Sequence, residues 1–175
     1  HQASLTGKRT WLDVDIGIGL RRPIFGIPIP FLAADPDDAY ALAMASNSLE
    51  LDIQGLSTVC GNSNSIRKIT KTAKRTVDKI GFDKLRGRIY AGGSFDHRAA
   101  QQTAAVEAMA TALHQGPMTF VALGPLTNIA ALIVRYPKLV SKIESVVLIG
   151  GLRPHEIPML GRVSATDFNI MQDVK

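Results

Sequence analysis

Asp13, Asp15, Asp37 and Asp38 are the residues of this chain best suited to chemistry. The first two close a short apolar run, Thr10-Trp11-Leu12, in a DxD pattern. The second two stand in Asp35-Pro36-Asp37-Asp38-Ala39, ahead of another apolar stretch. A β-favouring run that ends on an aspartate reads as a buried strand delivering Asp15 into a crevice. Asp37 and Asp38 read as the first turn of a helix, where carboxylates satisfy orphan N–H groups and suit the positive end of the dipole. Capping needs one carboxylate, however, and four at one end of a sheet repel unless something positive sits among them. An all-oxygen set without Cys or His beside it points to a hard cation, Ca²⁺ or Mg²⁺, over zinc. A solvated acidic loop is the other reading.

The elements that must position these groups are legible as an alternation. Ala39 to Ala45 is apolar around most of its circumference, as for a helix buried beside a sheet. Ile53 to Val59 reads as the next strand, with Gly61-Asn62 as the loop behind it. Ile66, Ile69, Ala73, Val77 and Ile80 repeat at helical spacing, and Gly81 closes that helix. A short strand at Arg88 to Ala91, an alanine-rich helix at Ala99 to His114 and a strong strand at Met118 to Leu123 follow. Gly124-Pro125-Leu126-Thr127-Asn128 then opens a helix through Val134, and Val146 to Ile149 is a further strand ended by Gly150-Gly151. Strands alternating with helices predict an α/β fold: a mainly parallel, Rossmann-like sheet with helices on both faces and its functional groups at the carboxyl ends of the strands. Asp15, Asn62, Thr127 and Gly150 all fall just behind such ends.

Residues 16–34 interrupt the pattern. They are apolar but carry three prolines and three glycines with an Arg21-Arg22 pair, which excludes a spanning helix and predicts a long inserted loop. A loop of that length and polarity is expected to act as a lid or an oligomer contact.

Composition narrows the partners. With 175 residues, 46% of them hydrophobic, the chain can bury one substantial core, so 1–175 is expected to form a single domain. The single cysteine, Cys60, excludes an internal disulfide and is expected to be a small buried apolar residue. The net charge of +5 owes much to six basic residues between Arg67 and Lys79, one face of the amphipathic helix. Without interleaved aromatics this is a solvated face rather than a nucleic-acid surface. His1 to Arg9 is polar and lacks the apolar core of a signal peptide, although a processed precursor would look the same, so the compartment, cytoplasmic or periplasmic, stays open.

Taken in order, these residues resemble the calcium-dependent nucleoside hydrolases, which cleave the N-glycosidic bond of ribonucleosides. That family's pattern is DxDPGxDDA, a strand followed by GN, then ALGPLTN, a GG after a strand, EFN, and a D-P pair. The counterparts are Asp13, Asp15, Asp37, Asp38 and Ala39, Gly61-Asn62, Ala122 to Asn128, Gly150-Gly151, Asp167-Phe168-Asn169, and Asp173. The resemblance implies that Asp15 and Asp38 hold Ca²⁺ with the backbone carbonyl of Thr127, and that Asp15 also takes a proton from the attacking water. It implies that Asp37, Asn62, Asp167 and Asn169 bind the ribose hydroxyls, with Asp13 orienting its neighbours. His97, His114 and His155 match no position of the pattern and are expected at the surface.

The chain departs from the pattern at three places. The insertion separates Asp15 from the Asp37-Asp38 pair, which leaves Asp35 as a competitor for the metal. Gly161-Arg162 stands where the family places an asparagine, and Asp167 replaces a glutamate. Family members are also considerably longer. The resemblance therefore implies a fragment, with a homo-oligomer or a partner chain supplying the missing C-terminal half.

Two other readings remain. A strand ending in DxD also occurs in haloacid-dehalogenase-type phosphatases, with Asp13 as nucleophile and Leu56-Ser57-Thr58 as the second strand end. A non-catalytic nucleoside-binding domain is the third possibility.

Overall fold

The computed structural model describes residues 7–17, 21–24, 27–33, 37–94 and 102–148. Five strands form one parallel sheet: β1 (Lys8–Val14), β4 (Leu51–Thr58), β5 (Ile89–Ala91), β6 (Met118–Ala122) and β7 (Ile143–Leu148), in the order β5-β4-β1-β6-β7. Helices α1 (Asp37–Asn47) and α2 (Ile66–Ile80) cover one face, and α3 (Ala104–Gln115) and α4 (Thr127–Arg135) cover the other. This is the α/β architecture that the alternation of elements predicts.

The pleat of β1 divides the core. Leu12 and Val14 pack with Leu42 of α1 and Ile69, Ala73 and Val77 of α2, while Trp11 points the other way, among Val106, Met109 and Leu113 of α3 and Ile129 and Leu132 of α4. Helix α2 matches its expected bounds: Ser65 accepts from the N–H of Lys68 at its start, and Gly81 closes it in the left-handed region at φ 71°. The six basic residues between Arg67 and Lys79 are all exposed on its outer face.

Three expectations need correction. The inserted segment is not a loop throughout, because β2 (Arg21–Ile24) and β3 (Ile27–Ala33) pair antiparallel within it. Its prolines are accommodated because in a two-stranded ribbon both strands are edges, where a residue without an N–H is tolerated. Helix α3 starts at Ala104 rather than Ala99, because Thr103 caps it by accepting from the N–H of Val106. Helix α1 is not buried all round: Leu42 and Ala45 face the core, while Tyr40 and Met44 are exposed. Among the described residues no helix is long and apolar enough to cross a membrane.

The strand order also fixes where a site belongs. From β1 the chain moves to β4 and β5, then returns to the far side of β1 for β6 and β7. The connections leaving β1 and β6 therefore run in opposite directions, which opens a crevice outside the carboxyl ends of those two strands.

Candidate active site

Asp15 lies at this crevice, one residue past the end of β1, and Asp38 reaches it from the first turn of α1. Both are buried. The loops behind β4 and β6 close around Asp15. The N–H of Asn62 donates to Asp15 Oδ2 at 3.1 Å. A Cβ on Gly61 would collide with that same oxygen, and one on Gly124 would stand 2.9 Å from Asp15 Cβ. Glycines at 61 and 124 thus let two loops approach one carboxylate more closely than any other residue would allow.

Asp38 is less well supported. Neither of its carboxylate oxygens, both buried, makes a well-formed hydrogen bond among the described residues, although the backbone N–H of Asp15 is close enough to favour its charged form. Burial, then the charges of Asp15 and Asp37, push its pKa up to about 8. Burial also pushes Asp15 up, to about 6, against the donated N–H of Asn62 and with the charge of Asp37 adding to the rise. Two adjacent carboxyls in a shielded pocket share a proton near neutrality unless a cation takes its place.

The four aspartates do not form one cluster. Among the described residues no three acidic, histidine or cysteine side chains gather as a metal site. Asp13 lies within β1, and its Oδ1 accepts from Ser57 Oγ at 2.5 Å and from Asn128 Nδ2 at 2.8 Å on the α4 side of the sheet. Asp37, the first residue of α1, is exposed and accepts the N–H of Asp38 at 2.9 Å. Asp15 and Asp38 are the pair that the fold brings together. Unsatisfied oxygens on one buried acid, beside a second acid, fit a divalent cation, and the pair would supply part of the oxygen shell that such an ion requires.

Thr127 is the first residue of α4. Leu126 occupies the cap position of that helix. Asp35, Asp167, Asn169, Arg162, Asp173, His97 and His155 lie outside the described residues. His114 is exposed near the end of α3, remote from the crevice.

Sequence reasoning missed a buried relay behind the pair. Trp11 Nε1 donates to Ser57 Oγ at 2.9 Å, and Ser57 in turn donates to Asp13. Asn128 ties three strand ends together: its Nδ2 donates to Asp13 and to the Thr58 carbonyl at 3.0 Å, and its Oδ1 accepts the N–H of Gly93 at 2.7 Å. The only local signal was an asparagine in an otherwise apolar helix, where that residue has low propensity and calls for a tertiary partner. Asn128→Ala would take this partner from the buried Gly93 N–H and Thr58 carbonyl, at about 1–3 kcal/mol each, and leave Asp13 Oδ1 with Ser57 alone. The variant is expected to melt well below the wild type in a calorimetric scan, with little change for the exposed control Lys71→Ala.

This geometry disfavours Asp13 as a phosphatase-type nucleophile. Its carboxylate is fully buried and fixed by Ser57 and Asn128, with no face open to a substrate.

Residues 11–175 match the sequence model of the inosine-uridine preferring nucleoside hydrolases. The chain belongs to that family. Among its relatives, the pyrimidine-specific ribonucleoside hydrolase RihA of Salmonella arizonae is 32% identical over 84% of this chain and 54% of its own length. The non-specific ribonucleoside hydrolase RihC of Salmonella agona is 36% identical over 69% of this chain and 47% of its own length. A solved purine-preferring ribonucleoside hydrolase from Gardnerella vaginalis shares the fold, with a TM-score of 0.63 at 23% identity, covering 83% of this chain and 49% of that one. The nucleoside hydrolase chain described here thus spans about half the length of the relatives it matches.

Proposed function

We propose that the protein hydrolyses the N-glycosidic bond of ribonucleosides, releasing ribose and the free base. The observation that carries this reading is the Asp15–Asp38 pair, buried with no counter-charge among the described residues, at the switch point of a sheet whose family cleaves this bond. The relatives named above differ in base preference, being pyrimidine-specific, non-specific and purine-preferring. What they share is the ribosyl bond, so the proposal rests on the sugar end of the substrate.

Asp15, Asp38 and the Thr127 carbonyl would hold the cation, and Ca²⁺ suits their oxygen chemistry. When bound, the ion supplies orientation for a water and the ribose diol. Asp15 accepts the proton as the water oxygen bonds to C1′, and the base leaves with the electron pair of the broken C–N bond. Asp37 and Asp167, assigned to the ribose, would set negative charge beside a sugar that becomes oxocarbenium-like. Asp37, Asn62, Asp167 and Asn169 are assigned to the ribose hydroxyls. Of these, Asn62 is already anchored beside the reacting centre through its backbone N–H to Asp15.

Ribose release from inosine and uridine, measured with and without Ca²⁺, tests the proposal. Calcium-dependent ribose release, with no phosphate release from p-nitrophenyl phosphate, is the expected result. Calcium-dependent ribose binding without turnover would instead favour a nucleoside-binding domain.

A further inference from the structure

We propose that the outer face of α2 docks on a bilayer of anionic phospholipid, by charge alone and without entering it. The inference stands on the charge and build of this helix, not on the activity proposed above.

Over the whole chain twenty basic residues stand against fifteen acidic ones. Six of the twenty and one of the fifteen, Asp78, lie on α2, so the rest is balanced at fourteen of each. The net charge of +5 therefore belongs to one helix. Arg67, Lys68, Lys71, Lys74, Arg75 and Lys79 are all exposed. Ile69, Ala73 and Val77 lock the opposite side of α2 into the core, so its cations are held outward. Among the described residues none of the six has a carboxylate partner, the one ion pair being Arg86 with Asp83 at 3.1 Å.

This strip works against its own helix. Arg67, Lys71, Arg75 and Lys79 succeed one another at a spacing of four residues, where like charges repel. Arg67 and Lys68 also occupy the first turn, at the positive end of the helix dipole, with no acidic residue there to offset them. A dense array of external anions relieves both strains at once.

The build of the strip selects the kind of array. Nucleic-acid surfaces combine cations with stacking aromatics, and α2 exposes no aromatic side chain. Protein interfaces turn on buried aromatic or apolar anchors, and no apolar residue of α2 is exposed. Without such residues the helix has nothing to insert into hydrocarbon, so contact stops at the headgroups. Four of the six cations are lysines, point charges on flexible stems that follow a diffuse field better than a fixed site. A cluster of this size on an amphipathic helix is what an anionic leaflet attracts. Helix α2 runs back along the sheet from the loop behind β4, so a bilayer against it leaves the crevice at the strand ends open.

Co-sedimentation with vesicles tests the proposal, using equal parts of phosphatidylcholine and phosphatidylglycerol against phosphatidylcholine alone. The chain is expected to bind the mixed vesicles only, and to leave them as salt is raised. Lys71→Ala with Arg75→Ala is expected to weaken that binding by roughly tenfold or more. The same pair should not lower the melting temperature, because it removes like-charge contacts from an exposed face. Lys8→Ala with Lys138→Ala takes the same charge from exposed positions elsewhere and is expected to change binding little. An equal loss in both double variants would mean that net charge alone is at work. Duplex RNA bound more tightly than the mixed vesicles at equal phosphate concentration would make nucleic acid the partner. Either result overturns the proposal, as does a chain that ignores the mixed vesicles or binds phosphatidylcholine as well.

Discussion

Asp38→Asn is expected to raise the melting temperature of the metal-free protein at pH 8 by roughly 4–8 °C, equivalent to about 2 kcal/mol for a domain of this size. Most substitutions of a buried residue destabilise, so the direction is diagnostic. Among the described residues Asp38 has two buried oxygens without a well-formed hydrogen bond and two neighbouring carboxylates, and burial heads the causes that push its pKa up to about 8. In the metal-free protein its ionisation therefore opposes folding, and an uncharged isostere removes that cost.

The same shifts fix the pH dependence. Asp15 and Asp38 both bind protons more tightly folded than unfolded, with folded values of about 6 and about 8. Between the ordinary carboxylate range and pH 8 the folded state therefore holds protons that the unfolded state has released. The associated stability is fully present below about pH 4 and is lost as the pH rises through the two folded values. Thermal melts in chelator should fall from pH 5 to pH 8 in the wild type, with a smaller fall in the Asp38→Asn variant. A divalent cation competes with those protons, so its stabilising effect should grow with pH in the wild type and vanish in the variant.

Asp15→Asn is expected to lower kcat for ribonucleoside hydrolysis by roughly 10²- to 10⁴-fold, the usual contribution of a positioned general base. The fold should survive the change, because an asparagine carbonyl can still accept the N–H of Asn62. Steady-state kinetics with inosine check the prediction. A fall in kcat with little change in KM is the signature of an interaction made in the transition state, whereas a rise in KM alone would make Asp15 a binding residue.

Much of the fold was legible because its signals are local. The periodic face of α2 and its Gly81 stop, and the apolar cores of β1, β4 and β6, each carry their pattern within a few residues. The alternation of strand and helix then dictated a parallel sheet, and the sheet dictated which edge holds the chemistry. What escaped depended on distant partners. Nothing near Ser57 or Asn128 in the chain shows that both will bond to Asp13, 44 and 115 residues away. The expectation of four clustered carboxylates failed for a related reason. Asp13 lies inside the strand, where the pleat sends it toward α4, whereas Asp15 lies beyond the strand end and is free to turn into the crevice. The outward face of α1 misled in the opposite way, since an apolar sequence reads as buried whether or not a covering element is at hand.

Whether Asp15 and Asp38 jointly hold a divalent cation is decided by diffraction from crystals soaked in calcium at pH 8. One ion is expected in the crevice, at about 2.3–2.6 Å from oxygens of both carboxylates. Saturating calcium that leaves the pair empty, or an ion held by other groups with Asp38 turned away, would contradict it.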